Sequence, residues 1–326
     1  MNAAILKEMS IGLLALTVTL LPSITRAQSW PDKPVRVIVP VAAGTSNDLA
    51  ARLIGDKLSG LWGQQVVVEN LGGAGGIPGV NALVRARPDG YTFGFLPGSV
   101  VMVTPVLYRS AKFDVERDLV PVAPIAVSPF MIVVNAKSEI QSMADLVREA
   151  RANPGRINMA ALPINTAVHL GAVMLNSVAG IALNIVPYKG ASDALLSVVS
   201  GQTQVAIGGV PAVVPLMKDG RLRVISVTTR ERLPGYENIP SAHDAVPGFE
   251  LNSWFGLFAP AGTPGDVVTR VNRDVNSVLK LPDITAKFVP AGIYVMAGSP
   301  ATLKALIETE RPVWAKIARE AGVMTD

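Results

Sequence analysis

Short apolar runs rich in valine and isoleucine alternate along this chain with segments whose apolar residues recur at helical spacing, and this alternation constrains the fold more than any other feature. A strand, an amphipathic helix and a second strand make the unit of a largely parallel sheet with helices on its faces. The run VRVIV at 35–39 reads as a strand, and Ser46 or Asn47 caps the helix after it, with the apolar stripe Leu49, Leu53, Ile54, Leu58 and Leu61. A strand at 66–69, a helix near 79–87 and a strand at 91–96 complete a β-α-β-α-β unit. Strands at 131–135, 157–161, 185–187 and 205–207 alternate with helices near 142–152, 166–178 and 191–200, which makes a second unit of the same kind. After a strand at 224–228 comes a stretch rich in Pro and Gly over 233–248, then a strand at 254–258 and helices over 264–280 and 301–321.

At about 100 to 200 residues per domain, a chain of 326 residues suggests two domains. The fold class expected is α/β, in two lobes that are each a mostly parallel sheet flanked by helices. The chain is expected to cross between them near 125–130 and 249–254, so that residues 28–126 and 251–326 form a discontinuous first lobe and 127–250 the second.

The N-terminus points to export. An apolar run at 11–21 is followed by Pro22 and by Thr25, Arg26 and Ala27, the small-residue pattern of a signal-peptide cleavage site. The run is shorter than the ~20 apolar residues that span a bilayer, so residues 1–27 read as a signal peptide and the mature, periplasmic protein begins near Gln28. The absence of cysteine excludes disulfides, thiol catalysis and a lipid-anchored cysteine. A net charge of +4 is spread thinly, its densest cluster being Arg221 and Arg223, and aromatics at 5% are too few for a base-stacking platform. A nucleic-acid partner is therefore not expected, and the chain reads as a monomer with a solvated surface.

Enzyme and metal chemistry find no support in the residues. There is no GxSxG elbow, the histidines are His169 and His243, no carboxylate pair stands in an acid/base pattern, and no His/Asp/Glu cluster has metal-ligand spacing. What the chain offers is small-residue loops after strands: PVAAGTSND at 40–48, NLGGAGGIPG at 70–79, PDGYT at 88–92 and PYKG at 187–190, followed by LNSWFGLFAPAGTP at 251–264.

In this order and spacing the five segments resemble the periplasmic solute-binding receptors of tripartite tricarboxylate transporters, the Bug or TctC-like family, from about Trp30 to the C-terminus. The resemblance implies a type II periplasmic binding protein, or Venus flytrap, that holds a small organic carboxylate between its lobes and delivers it to membrane permease subunits. It implies no cofactor and no catalysis. A ligand-presenting partner of a sensor kinase is the alternative, with an enzyme on the same fold as a third choice.

Ligand residues are expected where loops feed helix N-termini, whose unpaired N–H groups bind carboxylates without arginine. In the first loop these are Ala43, Gly44, Thr45, Ser46, Asn47 and Asp48; Gly44 and Asp48 match the family loop, while Asp48 alone reads as a first-turn charge favouring the helix dipole. The second loop contributes Gly73, Ala74 and Gly75. A dinucleotide fingerprint would need glycine where Pro78 stands, and a flexible connection is the plainer reading. Ser99, beyond the strand at 91–96, is a further candidate. From the second lobe come Leu162, Ile164, Asn165, Thr166 and His169, then Lys189, Gly190 and Ala191, and Gly209 at the next helix start. Thr166 and His169 match the family; residues 160–164 depart towards apolar side chains, which as a pocket wall would favour an aromatic or aliphatic body over citrate. The plainer alternatives are that Leu162 and Ile164 pack into the core, that His169 makes a structural hydrogen bond, that Lys189 is a solvated charge, and that Trp254 and Phe255 are core residues.

Overall fold

The computed structural model describes residues 30–162 and 166–320, so the proposed signal segment 1–27 lies outside the described residues, as do Ile164 and Asn165. From Lys33 onward the chain forms one compact unit. Its strands are β1 (Val35–Val39), β2 (Val66–Asn70), β3 (Thr92–Pro97), β4 (Leu119–Asn135), β5 (Asn158–Ala161), β6 (Asn184–Pro187), β7 (Val205–Gly209), β8 (Leu222–Val227), β9 (Asn252–Pro260) and β10 (Tyr294–Val295). They lie in the order β2-β1-β3-β9-β4-β7-β5-β6, with β8 and β10 also paired to β4. The main helices are α1 (Ser46–Trp62), α2 (Ile77–Val84), α3 (Met143–Ala152), α4 (Ala167–Ala179), α5 (Ala191–Val199), α6 (Val210–Lys218), α7 (Gly265–Leu279) and α8 (Pro300–Glu320).

The first β-α-β-α-β unit forms as its sequence dictates, because β1 is parallel to both β2 and β3. In the second, β5 is parallel to β6 and β7. What joins them is β4, a strand of 17 residues. Its residues up to Pro129 pair antiparallel with β9, and from Phe130 onward it pairs with β7 and β8. The sequence shows this strand only at its second half, because Pro121, Pro124 and Pro129 interrupt the first. Proline cannot donate to a ladder and is confined to edges and bulges; here the register shifts between Pro121 and Ala123 and again between Pro124 and Ala126.

Helix α1 departs from its expected face. Ala50, Ala51, Ile54 and Leu58 are buried, while Leu49 and Leu61 are 38% and 55% exposed. The reason is Gly55, where a methyl group would sit 3.2 Å from Val66 Cγ1: the helix docks on β2 through its small residues and turns two leucines to solvent. The cap also moves, from Ser46 or Asn47 to Thr45, whose hydroxyl oxygen accepts the Asp48 N–H. Helix α8 buries Leu303, Ile307, Trp314 and Ile317 at helical spacing. Trp254 and Phe255, at 1% and 3% exposed, are core residues. Among the described residues no helix is long and apolar enough to cross a membrane.

Candidate functional site

A cavity of ≈ 390 Å³ opens at the carboxyl ends of β1, β2 and β3 on one side and β5 on the other. Open α/β sheets bind ligands at such ends, where loops lead into helices. Pro40 to Ala42 enter it from β1, Gly73 to Gly76 from β2, and Thr166 and Ala167 from the start of α4.

The first loop borders this space at Ala42, while Ala43, Gly44 and Thr45 are exposed just beyond. Asp48 shapes the loop. Its side chain is 5% exposed and accepts the Gly44 N–H at 2.9 Å, Arg52 Nε at 3.0 Å and Asn70 Nδ2 at 2.9 Å. Burial pushes this carboxyl up, but those three donors outweigh it and hold the group below its ordinary value. Asp48 is therefore a fastener between loop, α1 and β2, and the Gly44 N–H is already engaged. Asn47 beside it is 4% exposed, and neither of its amide atoms has a partner among the described residues.

The second loop takes its form from backbone sterics. Gly73, Ala74, Gly75 and Gly76 all have positive φ, and Ala74 at 43° is the one non-glycine residue in that region among those described. Such geometry is strained for a residue with a Cβ and concentrates at functional sites. Glycine is required at 75 and 76 for a second reason. A methyl at Gly75 would lie 2.7 Å from Tyr108 Cε2, and one at Gly76 would lie 2.9 Å from Val100 Cγ2. The loop is thus pressed against residues 100–108, and Thr104 Oγ1 ties it down by donating to the Gly75 carbonyl at 2.7 Å. A freely flexible connection does not describe it.

Residues 99–108 are the part of the site that sequence reasoning missed, Ser99 excepted. Two short helices, Gly98–Met102 and Thr104–Leu107, bring Ser99, Val100, Thr104 and Leu107 to the cavity, with Val103 between them and Tyr108 after them. At five and four residues neither is long enough to show a periodicity. The available signal was position alone, since this segment follows the carboxyl end of β3 as the other loops follow β1 and β2.

From the far side, Thr166 caps α4, accepting the His169 N–H at 3.2 Å, and lines the cavity with Ala167. His169 does not line it; its Nδ1 is buried without a partner among the described residues, and burial lowers its pKa below the ordinary value, which favours the neutral ring. Leu162 packs against the apolar core and is not on the cavity wall. Gly190 caps α5 and Gly209 caps α6, with Lys189 and Ala191 exposed; none of the four reaches the cavity.

Among the described residues no charged side chain lines this space. An anion there would meet N–H groups, and in the turn at Ala74–Gly76 those of Ala74 and Gly75 have no hydrogen-bond partner among the described residues, whereas the Gly76 N–H already donates to the Gly73 carbonyl at 2.8 Å. Hydroxyls come from Ser99, Thr104, Tyr108 and Thr166. Among the described residues no group of His, Asp and Glu is placed to hold a metal ion. The arrangement suits recognition of a small solute with an anionic end and an apolar body.

Residues 50–323 match the tripartite tricarboxylate transporter family receptor. A UPF0065 protein of Bordetella bronchiseptica is 34% identical over 91% of this chain and 88% of its own. Among solved structures, an R. palustris protein with adipate is similar at 32% identity and TM-score 0.74, over 90% of this chain and 98% of that one. MatC from Rhodopseudomonas palustris with bound malate is similar at 26% identity and TM-score 0.70, over 88% of this chain and 99% of that one.

Proposed function

The chain belongs to the tripartite tricarboxylate transporter receptor family of periplasmic solute-binding proteins, and on that premise we propose that it captures one small organic carboxylate in the cavity between Gly73–Gly76 and Thr166, then delivers it to membrane permease subunits. The observation that carries the reading is the cavity itself: its volume of ≈ 390 Å³ falls within the range of small-molecule sites, and among the described residues it is lined by hydroxyls and small-residue backbone with no charged side chain. The bound adipate and malate of the two R. palustris relatives support a carboxylate as the solute. Residues 1–27 are the export signal in this reading.

The lobes are residues 28–126 with 251–326, and 127–250. The change of β4 partners between Pro129 and Phe130 supports a hinge there, and a solute touching Gly75 on one side and Thr166 on the other would favour closure by its differential affinity.

Mass spectrometry of small molecules released by denaturing freshly purified protein tests the proposal, followed by thermal shift with the compound found. A carboxylate present at 100 times its dissociation constant should stabilise the fold by about 2.7 kcal/mol. Chemical turnover of the bound compound, or absence of any carboxylate ligand, would overturn it.

A further inference from the structure

We propose that Arg109 and Lys112, on the turn beyond the cavity-lining segment, are capture cations: they draw an anionic solute to the cavity through their field and do not hold it once it is bound. This rests on the carboxylate-receptor reading and deepens it, by assigning the long-range recognition of charge to the rim.

The turn is fixed in place beside the cavity. Thr104 Oγ1 donates to the Gly75 carbonyl at 2.7 Å, and a methyl at Gly75 would lie 2.7 Å from Tyr108 Cε2, so the segment ending at Tyr108 is seated against the second loop. The Ala111 N–H then donates to the Tyr108 carbonyl at 3.0 Å and closes a tight turn. Leu107 and Phe113, both buried, anchor its two ends, and Arg109 and Lys112 are exposed between them. Arg109 follows Tyr108, a residue of the cavity lining, at the ~3.8 Å that separates consecutive Cα atoms. That is well inside the Debye length of ~10 Å at 0.1 M salt, so the charge is felt at the cavity without any contact.

This charge is not spent on neighbours. Neither Arg109 nor Lys112 forms an ion pair among the described residues, while the acids next along the chain are engaged. Asp114 accepts the N–H groups of Glu116 and Arg117; Glu116 pairs with Arg311, and Asp118 with Arg117, each at 2.6 Å. Behind the first loop, Asp48 is offset by Arg52 at 3.0 Å. The cavity is lined by no charged side chain among the described residues, and between Leu162 and Thr166 the sequence has only Pro163, Ile164 and Asn165, none of them charged. Positive charge beside an uncharged cavity raises the local concentration of anions, and charges at such a rim govern association rate and its salt dependence more than the lifetime of the complex.

Stopped-flow binding of adipate and malate, both dianions, and of benzoate, a monoanion, tests this with intrinsic fluorescence as the signal. Arg109→Gln with Lys112→Gln should lower the second-order association rate of a dianion by about 3-fold or more at ~0.01 M ionic strength, where the Debye length is ~30 Å. Benzoate should lose less, because the attraction scales with its single charge. Dissociation rates should stay within about 2-fold of wild type, and association rates should converge with wild type at ~1 M salt, where the Debye length is ~3 Å. Arg109→Glu alone should slow dianions further than Arg109→Gln alone. Melting temperatures without ligand should coincide, since both side chains are exposed. An unchanged low-salt association rate, a loss that persists at high salt, or equal losses for monoanion and dianion would overturn the capture role and leave a carboxylate receptor. Wild type binding none of the three acids would overturn the carboxylate reading itself.

Discussion

The Trp254 indole N–H donates to Glu310 Oε2 at 3.0 Å, and Trp314 donates to the same oxygen at 3.3 Å. This joins the first residues of β9 to the middle of α8 through one carboxylate. The Trp254 ring in turn lies against Gly98, where a methyl group would be 2.5 Å from Cε2. Gly98 opens the segment that delivers Ser99 and Val100 to the cavity. A contact of the C-terminal helix is therefore one side chain removed from a segment that lines the cavity.

The first expected outcome follows from the protonation of Glu310. Burial pushes this carboxyl above its ordinary value of 4.5, the two indole donors pull against that, and nearby Glu250 adds to the rise. The folded state then holds the proton more tightly than the unfolded state does. The stability contributed is fully present below about pH 4.5 and is lost as pH rises through the folded-state value. Glu310→Gln keeps an oxygen for the indoles and removes the charge. Urea unfolding at a series of pH values should show the wild-type decline above pH 4.5 flattened in the variant; equal slopes would mean that Glu310 does not titrate differently on folding.

Asp48 has the opposite sign. Its carboxyl is held below the ordinary 3.8, so its contribution is present above that pH and is lost as pH falls through the folded-state value. Asp48→Asn places an amide donor where Gly44, Arg52 and Asn70 all donate, and should cost about 1–3 kcal/mol, the usual cost of leaving such groups unpaired. Denaturation midpoints at neutral pH and the acid limb of the unfolding curve measure both effects. If Asp48 contacted solute without fastening the loop, affinity would fall with stability unchanged.

How much of this was legible in the sequence depended on period and length. The run VRVIV and the helix near 142–152 read correctly, because a continuous apolar run and apolar residues at helical spacing are local signals. The loops after β1 and β2 were visible as small-residue stretches, and Gly73, Ala74, Gly75, Ser99 and Thr166 do reach the cavity. The first half of β4 was hidden by its prolines, whose bulges are set by pairing to β9 far along the chain. Residues 103–108 were hidden because nothing local to them differs from core; only their position after β3 and the approach of Tyr108 to Gly75 place them beside the cavity. The exposure of Leu49 and Leu61 was equally non-local, since it follows from how closely Gly55 approaches Val66.

Gly75→Ala should act twice. At φ +65° a Cβ costs about 1–2 kcal/mol in the backbone, and the same Cβ meets the Tyr108 ring. The ring has to move, so solute affinity should fall together with thermal stability. Adding Tyr108→Ala removes the collision and leaves the backbone strain, so the double variant should recover part of the stability lost by Gly75→Ala alone. Additive losses in a double-mutant cycle would show that the ring and the loop are not in contact.

Thr166 tests the far side of the cavity, where one side chain has two tasks that can be separated. Its oxygen accepts the His169 N–H and caps α4, while its O–H has no acceptor among the described residues and can donate into the cavity. Thr166→Ala loses both, and should cost about 1 kcal/mol of stability as well as affinity. Thr166→Ser retains both and should bind and melt like wild type. Thr166→Asp is the decisive substitution: aspartate is an equal or better cap and its charge favours the helix N-terminus, so the fold should be as stable as wild type. In the cavity, however, it brings a negative charge and no donor at neutral pH, and a carboxylate solute should bind at least ~10-fold more weakly, the effect of roughly 1.4 kcal/mol of repulsion. Thermal melts without ligand and titration with the identified solute separate the two tasks. Undiminished binding by Thr166→Asp would remove Thr166 from the solute's surroundings and leave it as a cap alone.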